Sequence, residues 1–325
     1  MSMRSRASSA ASCRLKFSPT VFTMNTPLIT VCIPAYKAER YLQAALESVR
    51  AQHFTDWEII VTEDGSCDGS EEIVRTFART VSQPVIYNRH PQNLGLPATR
   101  NSGIAAAHGE WVALLDADDL WTPGHLEAAV ELMPRTSAEL IHSGSVLFDD
   151  ETGHEIEVRA PSRELIADFP RSLFNGDYTI QPSSVVLRRR LWEDVGGFDP
   201  AFHYVEDREM WIRCARSGAQ FAYTGFNTCL YRKHPTALSR HGVAMALASA
   251  QVFEKNIDWD AMPRRLRHIQ AAAAWIAAGR IALRDDPGSA RGFFGRALKH
   301  RALAPMAFGY WLAAAALNCT RGKTA

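Results

Sequence analysis

Directly behind the apolar run WVALL, the residues Asp116, Ala117, Asp118 and Asp119 put three carboxylates into four positions of chain. In extended backbone, side chains two apart share a face, so Asp116 and Asp118 are expected to converge on one hard cation while Asp119 faces elsewhere. Neighbouring carboxylates without a counter-ion repel, and oxygen donors favour Mg²⁺ or Mn²⁺, which makes one of these the expected cofactor. The competing role is an acidic, helix-capping turn before Trp121. Position weighs for the cation, because open α/β sheets bind ligands at the carboxyl ends of their strands.

The elements that must position this cluster are legible from Leu28 onward. Short β-rich runs alternate with amphipathic helical stretches, the pattern of a parallel sheet covered by helices. LITVCIP (Leu28 to Pro34), WEIIVT (Trp57 to Thr62), VIYN (Val85 to Asn88) and WVALL (Trp111 to Leu115) read as strands. Tyr41, Leu42, Ala45, Leu46 and Val49 recur at helical spacing. Asp68 and Ser70 are placed to cap a helix around Ile73, Val74 and Phe77. A helix is expected to follow the loop through Asn93, Gly95 and Pro97 and to run to about Ala107. Thr122 followed by Pro123 predicts another, reaching about Met133. ELIHSGSVLF and EIEVR flank the turn DDETG as a hairpin.

With 325 residues, 46% of them hydrophobic, the chain is long enough for one large core or two smaller ones. Its net charge of +1 gives no reason to expect nucleic acid as a partner. Six cysteines lack CxxC or zinc-like spacing, which suits a reducing cytoplasm, with Cys67 in a polar turn as the one candidate reactive thiol. Residues 1–25 carry Arg4, Arg6, Arg14 and Lys16 and no acid. They read as a disordered tail, or as the product of an upstream start with Met24 as the first residue, rather than as a targeting segment. Residues 242–325 are alanine-rich and expected to be all helical, with breaks at Asp286 to Gly288 and at Pro305 and a loose likeness to one tetratricopeptide-like helix pair. The uncharged run Ala302 to Cys319 reads first as a buried helix, second as peripheral membrane contact; its length, Pro305 and Gly309 argue against a span.

Three ordered blocks, VCIPAYKAERYLQAALESVRAQ, EIIVTEDGSCDG and NLGLPATRNSGIAAAHGEWVALLDADD, resemble the family 2 glycosyltransferases, over about Leu28 to Ser239. The resemblance implies the GT-A fold, a mixed, mainly parallel sheet flanked by helices, over residues 26–241, a nucleotide diphosphate sugar as donor, and an inverting reaction. Pro34, Ala35 and Tyr36 would line the nucleoside pocket, and Asp64 would accept a hydrogen bond from uracil or another base. The family block usually reads VDDGSxDG; here Glu63 replaces its first Asp, which loosens what the block says about the base. Asn93 and Gly95 would shape the next loop. Arg100 would pair with the diphosphate or position the base edge; by residue type alone it is a solvated helical arginine.

IQPSSVVLRRRLWEDVGGFDPAFHYVEDREMWIRCARSG resembles the acceptor-side block of the same family, matching its ED motif at Glu206 and Asp207. An inverting transfer needs a base on the face opposite the leaving group, and Asp207 is the expected one. Glu206 would orient it, contact acceptor hydroxyls, or begin the following helix. YRKHPTALSR resembles a late block whose loop closes over the donor. There His234 would complete the metal shell with Asp116 and Asp118, and Arg232 would neutralise leaving-group charge. The acceptor is expected to be a glycan, lipid-linked or other hydroxyl in surface polysaccharide, lipopolysaccharide or exopolysaccharide assembly. That work is expected in the cytoplasm, with possible contact of the helical C-terminal region with the inner membrane face or a protein partner. Two other readings stand beside this one. A nucleotidyltransferase would want a phosphate-cradling Gly-rich loop that VCIPAYKAER lacks, and a catalytically silent sugar-nucleotide binding or assembly component would bind nucleotide without transfer.

Overall fold

The computed structural model describes residues 26–235, 242–283, 286–300 and 304–321. The basic segment 1–25, its alternative start at Met24 and the end of the YRKHPTALSR block lie outside them. Strands β1 (Ile29–Ala35), β2 (Trp57–Glu63), β3 (Val85–Arg89) and β4 (Trp111–Leu114) form where the four apolar runs predict. They pair in parallel, β3-β2-β1-β4. Every residue of β1, β2 and β4 is buried, as expected for a sheet covered on both faces.

The covering helices are α1 (Leu42–Arg50), α2 (Ser70–Ala78) and α3 (Leu96–Ala105). Helix α1 buries Leu42, Ala45, Leu46 and Val49, the stripe read from the sequence. Asp68 accepts from the Ser70 amide at the head of α2 (3.2 Å), whereas Ser70 itself is already the first helical residue.

Beyond β4 the expectations hold less well. The helix start predicted at Thr122 and Pro123 is displaced by a two-residue strand, β5 (Leu120–Trp121), and α4 runs from His125 to Leu132. Tertiary pairing outcompetes the local cap here: the Thr122 amide donates to the Thr228 carbonyl and Trp121 Nε1 to the Ser183 carbonyl. The hairpin forms as β6 (Leu140–Asp149) and β7 (Glu155–Arg159). After α5 (Arg163–Ala167) and α6 (Arg171–Asn175), β8 (Val185–Arg188) enters antiparallel between β4 and β6. Helices α7 (Arg189–Val195) and α8 (Glu206–Arg216) follow, and then the long β9 (Phe221–Lys233), parallel to β6. The nine-stranded sheet reads β3-β2-β1-β4-β8-β6-β9-β5, with β7 on β6.

Four helices complete the fold: α9 (Gly242–Lys255), α10 (Arg264–Ala282), α11 (Pro287–Lys299) and α12 (Ala304–Arg321). The first two are docked onto the sheet domain, and α11 and α12 pack on them. Val252, Phe253, Trp259 and Met262 share a core with Phe174, Met210 and Trp211, and Lys255 bridges Asp199 and Glu209 at 2.7 Å each. Helices α10 and α11 cross closely at Gly279, where a Cβ would meet Phe294 Cε1 at 2.5 Å. The buried helix expected over Ala302 to Cys319 is only half buried. Ala307 and Ala314 face inward, while Met306, Phe308 and Leu312 are exposed. Among the described residues no helix is long and apolar enough to cross a membrane.

Candidate active site

A cleft of about 1070 Å³ opens at the carboxyl ends of β1, β2 and β4, and α8 and the 176–182 segment form its other wall. It brings together Pro34, Ala35, Tyr36, Asp64, Asn93 and Arg100 with Asp116, Asp118, Glu206, Asp207 and His234. Glu63 and Arg232 do not line it.

At one end Tyr36 is half exposed, while Asp64 is buried. Asp64 Oδ1 accepts from the Leu94 amide and pairs with His90 Nδ1, and Oδ2 accepts from the Gly95 amide, all at 2.8 Å. Burial raises the pKa of Asp64, but the hydrogen bonds from His90 and the two amides outweigh it and hold the carboxyl below its ordinary value. Asp64 therefore shapes the loop through Asn93 as well as lining the pocket. Glu63 turns back on its own loop instead. Oε1 accepts from the Ser66 amide (2.6 Å) and hydroxyl (2.5 Å), and Oε2 from the Gly65 amide (3.1 Å). This turn needs glycine at 65, where φ is +77° and a Cβ would lie 2.4 Å from the Gln92 carbonyl carbon.

The centre of the site is Arg100. It is 1% exposed, so the solvated arginine suggested by residue type is overturned. Nη2 donates to both oxygens of Asp116 (2.7 and 2.9 Å), and Nη1 donates to Glu206 Oε1. Burial works against its charge, yet Asp116 and Glu206 more than compensate and drive its pKa up. The guanidinium is thus a strut from the end of β4 to the start of α8, and its two Nη groups already serve carboxylates.

The DxD cluster is arranged differently from the strand-alternation argument. The sheet ends at Leu114 and the chain turns, with the Asp119 amide donating to the Asp116 carbonyl at 3.0 Å, so alternation no longer applies. Asp116 takes Arg100. Asp118, whose side chain is 38% exposed, meets His234 Nε2 through Oδ2 at 2.9 Å. Asp119 is buried between the Ser183 hydroxyl (2.6 Å) and the Arg232 amide (2.9 Å), and burial followed by its two acidic neighbours pushes its pKa well up.

Arg232 is committed structurally. Its Nε donates to the Asp118 carbonyl (2.7 Å) and Nη1 to Asp150 Oδ1 (2.8 Å), a carboxylate that also receives the Tyr41 hydroxyl.

No group of three His, Cys, Asp or Glu among the described residues is arranged to hold a metal by itself. Asp118 and His234 supply one exposed carboxylate and one imidazole. That donor set fits Mg²⁺ or Mn²⁺ when a phosphate ligand and water contribute the remaining oxygens, the usual way Mg²⁺ is held.

On the far wall, Val205 precedes α8 with φ +54°, a left-handed conformation that is strained for a β-branched residue. The kink sends Glu206 inward to Arg100, while Asp207 lines the cleft. Asp207 Oδ1 accepts from the Arg208 amide (2.7 Å); among the described residues Oδ2 has no hydrogen-bond partner. Burial raises the pKa of Asp207, offset in part by that amide and by Arg100. Glu206 is pushed up to about 7, again chiefly by burial.

Sequence reasoning missed Ser183, which accepts from the Asp116 amide (3.0 Å) while donating to Asp119, and also Val205 and the cleft residues Gly176, Tyr178 and His203. Ser183 lies inside the quoted QPSS segment, a weak signal. Nothing in residue type marks the others.

Comparison with known proteins bears on the family and the fold. The family model for glycosyl transferase family 2 matches residues 30–196. The putative teichuronic acid biosynthesis glycosyltransferase TuaG of Bacillus subtilis is 29% identical over 207 residues, 63% of this chain and 77% of TuaG. The crystal structure of S. aureus TarS 1–349 in complex with UDP-GlcNAc superposes with a TM-score of 0.68 at 15% identity, covering 88% of each chain. The Pyrobaculum calidifontis mannosyltransferase PcManGT, in complex with GDP-Man and Mn²⁺, does so with 0.58 at 20% identity, covering 90% of this chain and 87% of that one. At those identities the two structures speak for the fold.

Proposed function

The chain belongs to glycosyltransferase family 2, and on that premise we propose that it moves a sugar from a uridine diphosphate donor to an acceptor hydroxyl with inversion at the anomeric carbon. The observation that carries this reading is the Arg100 strut, which fixes the DxD turn and the Glu206–Asp207 pair on opposite walls of one cleft. Donor and acceptor can then meet between Asp118 and Asp207.

The nucleoside lies along Pro34, Ala35 and Tyr36, in the pocket that Asp64 and the Asn93 loop close. Asp118 and His234 would hold a divalent cation, which when bound would supply positive charge for the departing group. On the opposite wall Asp207 Oδ1 is held by the Arg208 amide, which leaves Oδ2 to take the acceptor proton. The acceptor oxygen bonds to the anomeric carbon as the bond to the diphosphate breaks, and the electron pair leaves with the nucleoside diphosphate. Glu206 keeps Arg100 in place, so it acts as a positioning residue. Asp116 reaches the donor site only in company with Arg100.

We assign the reaction to surface polysaccharide assembly, a reading supported by the relative named for teichuronic acid biosynthesis. The four described cysteines are free thiols, which suits the cytoplasm. Contact with the inner membrane face is supported by the exposed Met306, Phe308 and Leu312 on α12 and by eleven Lys and Arg against two Asp from Pro263 to the end of the chain. The proposed boundary between the transferase domain and the helical region falls at 241/242. The test is to incubate the protein with α-linked UDP-sugars, metal and a set of glycan acceptors and to read UDP release and product anomer by NMR. A β-linked product that disappears in Asp207→Asn supports the proposal, and an α-linked product refutes the single-displacement mechanism.

A further inference from the structure

The residue after the proposed base carries a half-buried guanidinium that lacks the carboxylate partner Arg100, Arg213 and Arg232 have. Arg100 serves two carboxylates, Arg213 grips Glu209 (2.6 Å), and Arg232 pairs with Asp150 (2.8 Å). Arg208 makes no ion pair among the described residues. Of its five N–H donors one finds an acceptor there, the Phe174 carbonyl, which takes Nη2 at 2.8 Å. Nε is buried with no hydrogen-bond partner, and the guanidinium carbon rests 4.6 Å from the centre of the Phe253 ring.

Asp207 and Asp177 act on it through their charge but neither is hydrogen-bonded to its guanidinium: Asp207 spends Oδ1 on the Arg208 backbone amide, and Asp177 is exposed. Burial accordingly holds the pKa of Arg208 below the ordinary guanidinium value, the opposite direction from Arg100. A buried donor left unpaired costs stability, and a guanidinium without a carboxylate partner at a cleft wall has charge to offer a ligand.

The backbone around it is shaped to keep the guanidinium where it is. Gly176 closes α6 with φ +85°, and a Cβ there would stand 3.0 Å from Nη2 and 3.2 Å from the guanidinium carbon. Both residues line the cleft beside Asp207, on the wall away from Tyr36 and Asp64. Arg159 and Lys233 line the same cleft, which adds positive charge to it.

We infer that Arg208 is a specificity-determining residue that reads an oxyanion, a phosphate or a carboxylate, carried by the acceptor close to the hydroxyl being deprotonated. The inference rests on Asp207 being the base, since only then does the wall next to it belong to the acceptor. On a planar guanidinium Nη1 and Nη2 form a two-pronged edge, and here Nη1 and the second Nη2 hydrogen, which have no partner among the described residues, are left for such a group.

The test is ligand-observed NMR on the full chain with UDP and Mn²⁺ added to occupy the donor end. The probes are glycerol 3-phosphate, inorganic phosphate and glucuronate, with glycerol and glucose as uncharged counterparts. Wild type is expected to bind a charged probe at least about 10-fold more tightly than its neutral counterpart, as one charge-assisted hydrogen bond provides. Arg208→Gln is expected to lose that preference while its UDP affinity stays unchanged. Phosphate and carboxylate sources are told apart by which charged probe shows the preference. If Arg208→Gln misfolds, Arg208→Lys, which keeps the charge and loses the fork, must show an intermediate preference. The inference is overturned if wild type binds neutral probes as well as charged ones, if it binds neither charged probe, or if Arg208→Gln retains the preference. Absence of UDP binding would instead count against the proposed function, and the same comparison without nucleotide still decides the role of Arg208.

Discussion

Replacing Arg100 by leucine should be the most damaging single change in the site, and its cost should depend on pH in a defined direction. The substitution keeps bulk but removes three charge-assisted hydrogen bonds and leaves Asp116 and Glu206 facing each other without a counter-charge. Breaking a buried pair from one side typically costs about 3–5 kcal/mol. At roughly 2–4 °C per kcal/mol for a domain of this size, the unfolding midpoint should fall by about 6–20 °C at pH 8. In the wild type Arg100 pulls the pKa values of both acids down. Burial already holds both above their ordinary values, and in the variant, without that pull, they rise further, so the unpaired carboxylates destabilise the native state at high pH and cease to do so once protonated. The deficit relative to wild type should therefore shrink as pH is lowered from 8 toward 5. Differential scanning calorimetry across that range, with Glu206→Gln added to relieve one charge, measures it. A deficit below about 1 kcal/mol, or one that is the same at every pH, would refute the strut as the element that holds the two walls together.

Three further outcomes are expected. Asp207→Asn should lower kcat by about 10²- to 10⁴-fold with little change in unfolding midpoint, the signature of a lost base rather than a lost fold; a loss under 10-fold would contradict that role. Because burial raises the pKa of Asp207, a pH–rate profile of kcat/KM should show an acid limb displaced upward from the ordinary aspartate value, with activity lost as pH falls through it; a profile flat down to pH 4 would exclude Asp207 as the base. Phe308→Asp combined with Leu312→Asp should abolish co-sedimentation with vesicles containing anionic lipid and leave UDP binding intact, and unchanged co-sedimentation would remove α12 as the contact.

The first half of the sheet was legible because strands covered on both faces are mainly apolar, and β1, β2 and β4, buried at every position, are. The second half was not. β5 and β9 pair across more than a hundred residues of sequence, and that pairing overrode the Thr122–Pro123 start signal, which was the only local information available. The residues of the site were legible from ordered blocks, and most of them do meet in one cleft. Their partners were not, because a motif gives a position along the chain and says nothing of what faces it. Arg100 reads as a surface arginine or a phosphate ligand until Asp116 and Glu206 are seen on either side. Arg232 reads as free charge until Asp150 and the Asp118 carbonyl take it up. Asp116 and Asp118 were expected to converge because the strand was extended past Leu114, and one turn sends them to different partners. Val205 carries no sequence signal, since strain is a property of φ and not of residue type.

The central claim is that this cleft holds a nucleoside diphosphate through a cation on Asp118 and His234. Thermal unfolding against UDP, GDP and other nucleoside diphosphates tests it most directly, each with Mn²⁺, Mg²⁺ or chelator, in wild type and Asp118→Ala. A ligand at about 100 times its Kd adds roughly 2.7 kcal/mol, a shift of several degrees in a domain of this size. The account predicts that UDP stabilises the wild type only with metal and that Asp118→Ala loses the effect. Stabilisation that is indifferent to chelator or unchanged in Asp118→Ala, or no stabilisation by any nucleotide, would contradict it.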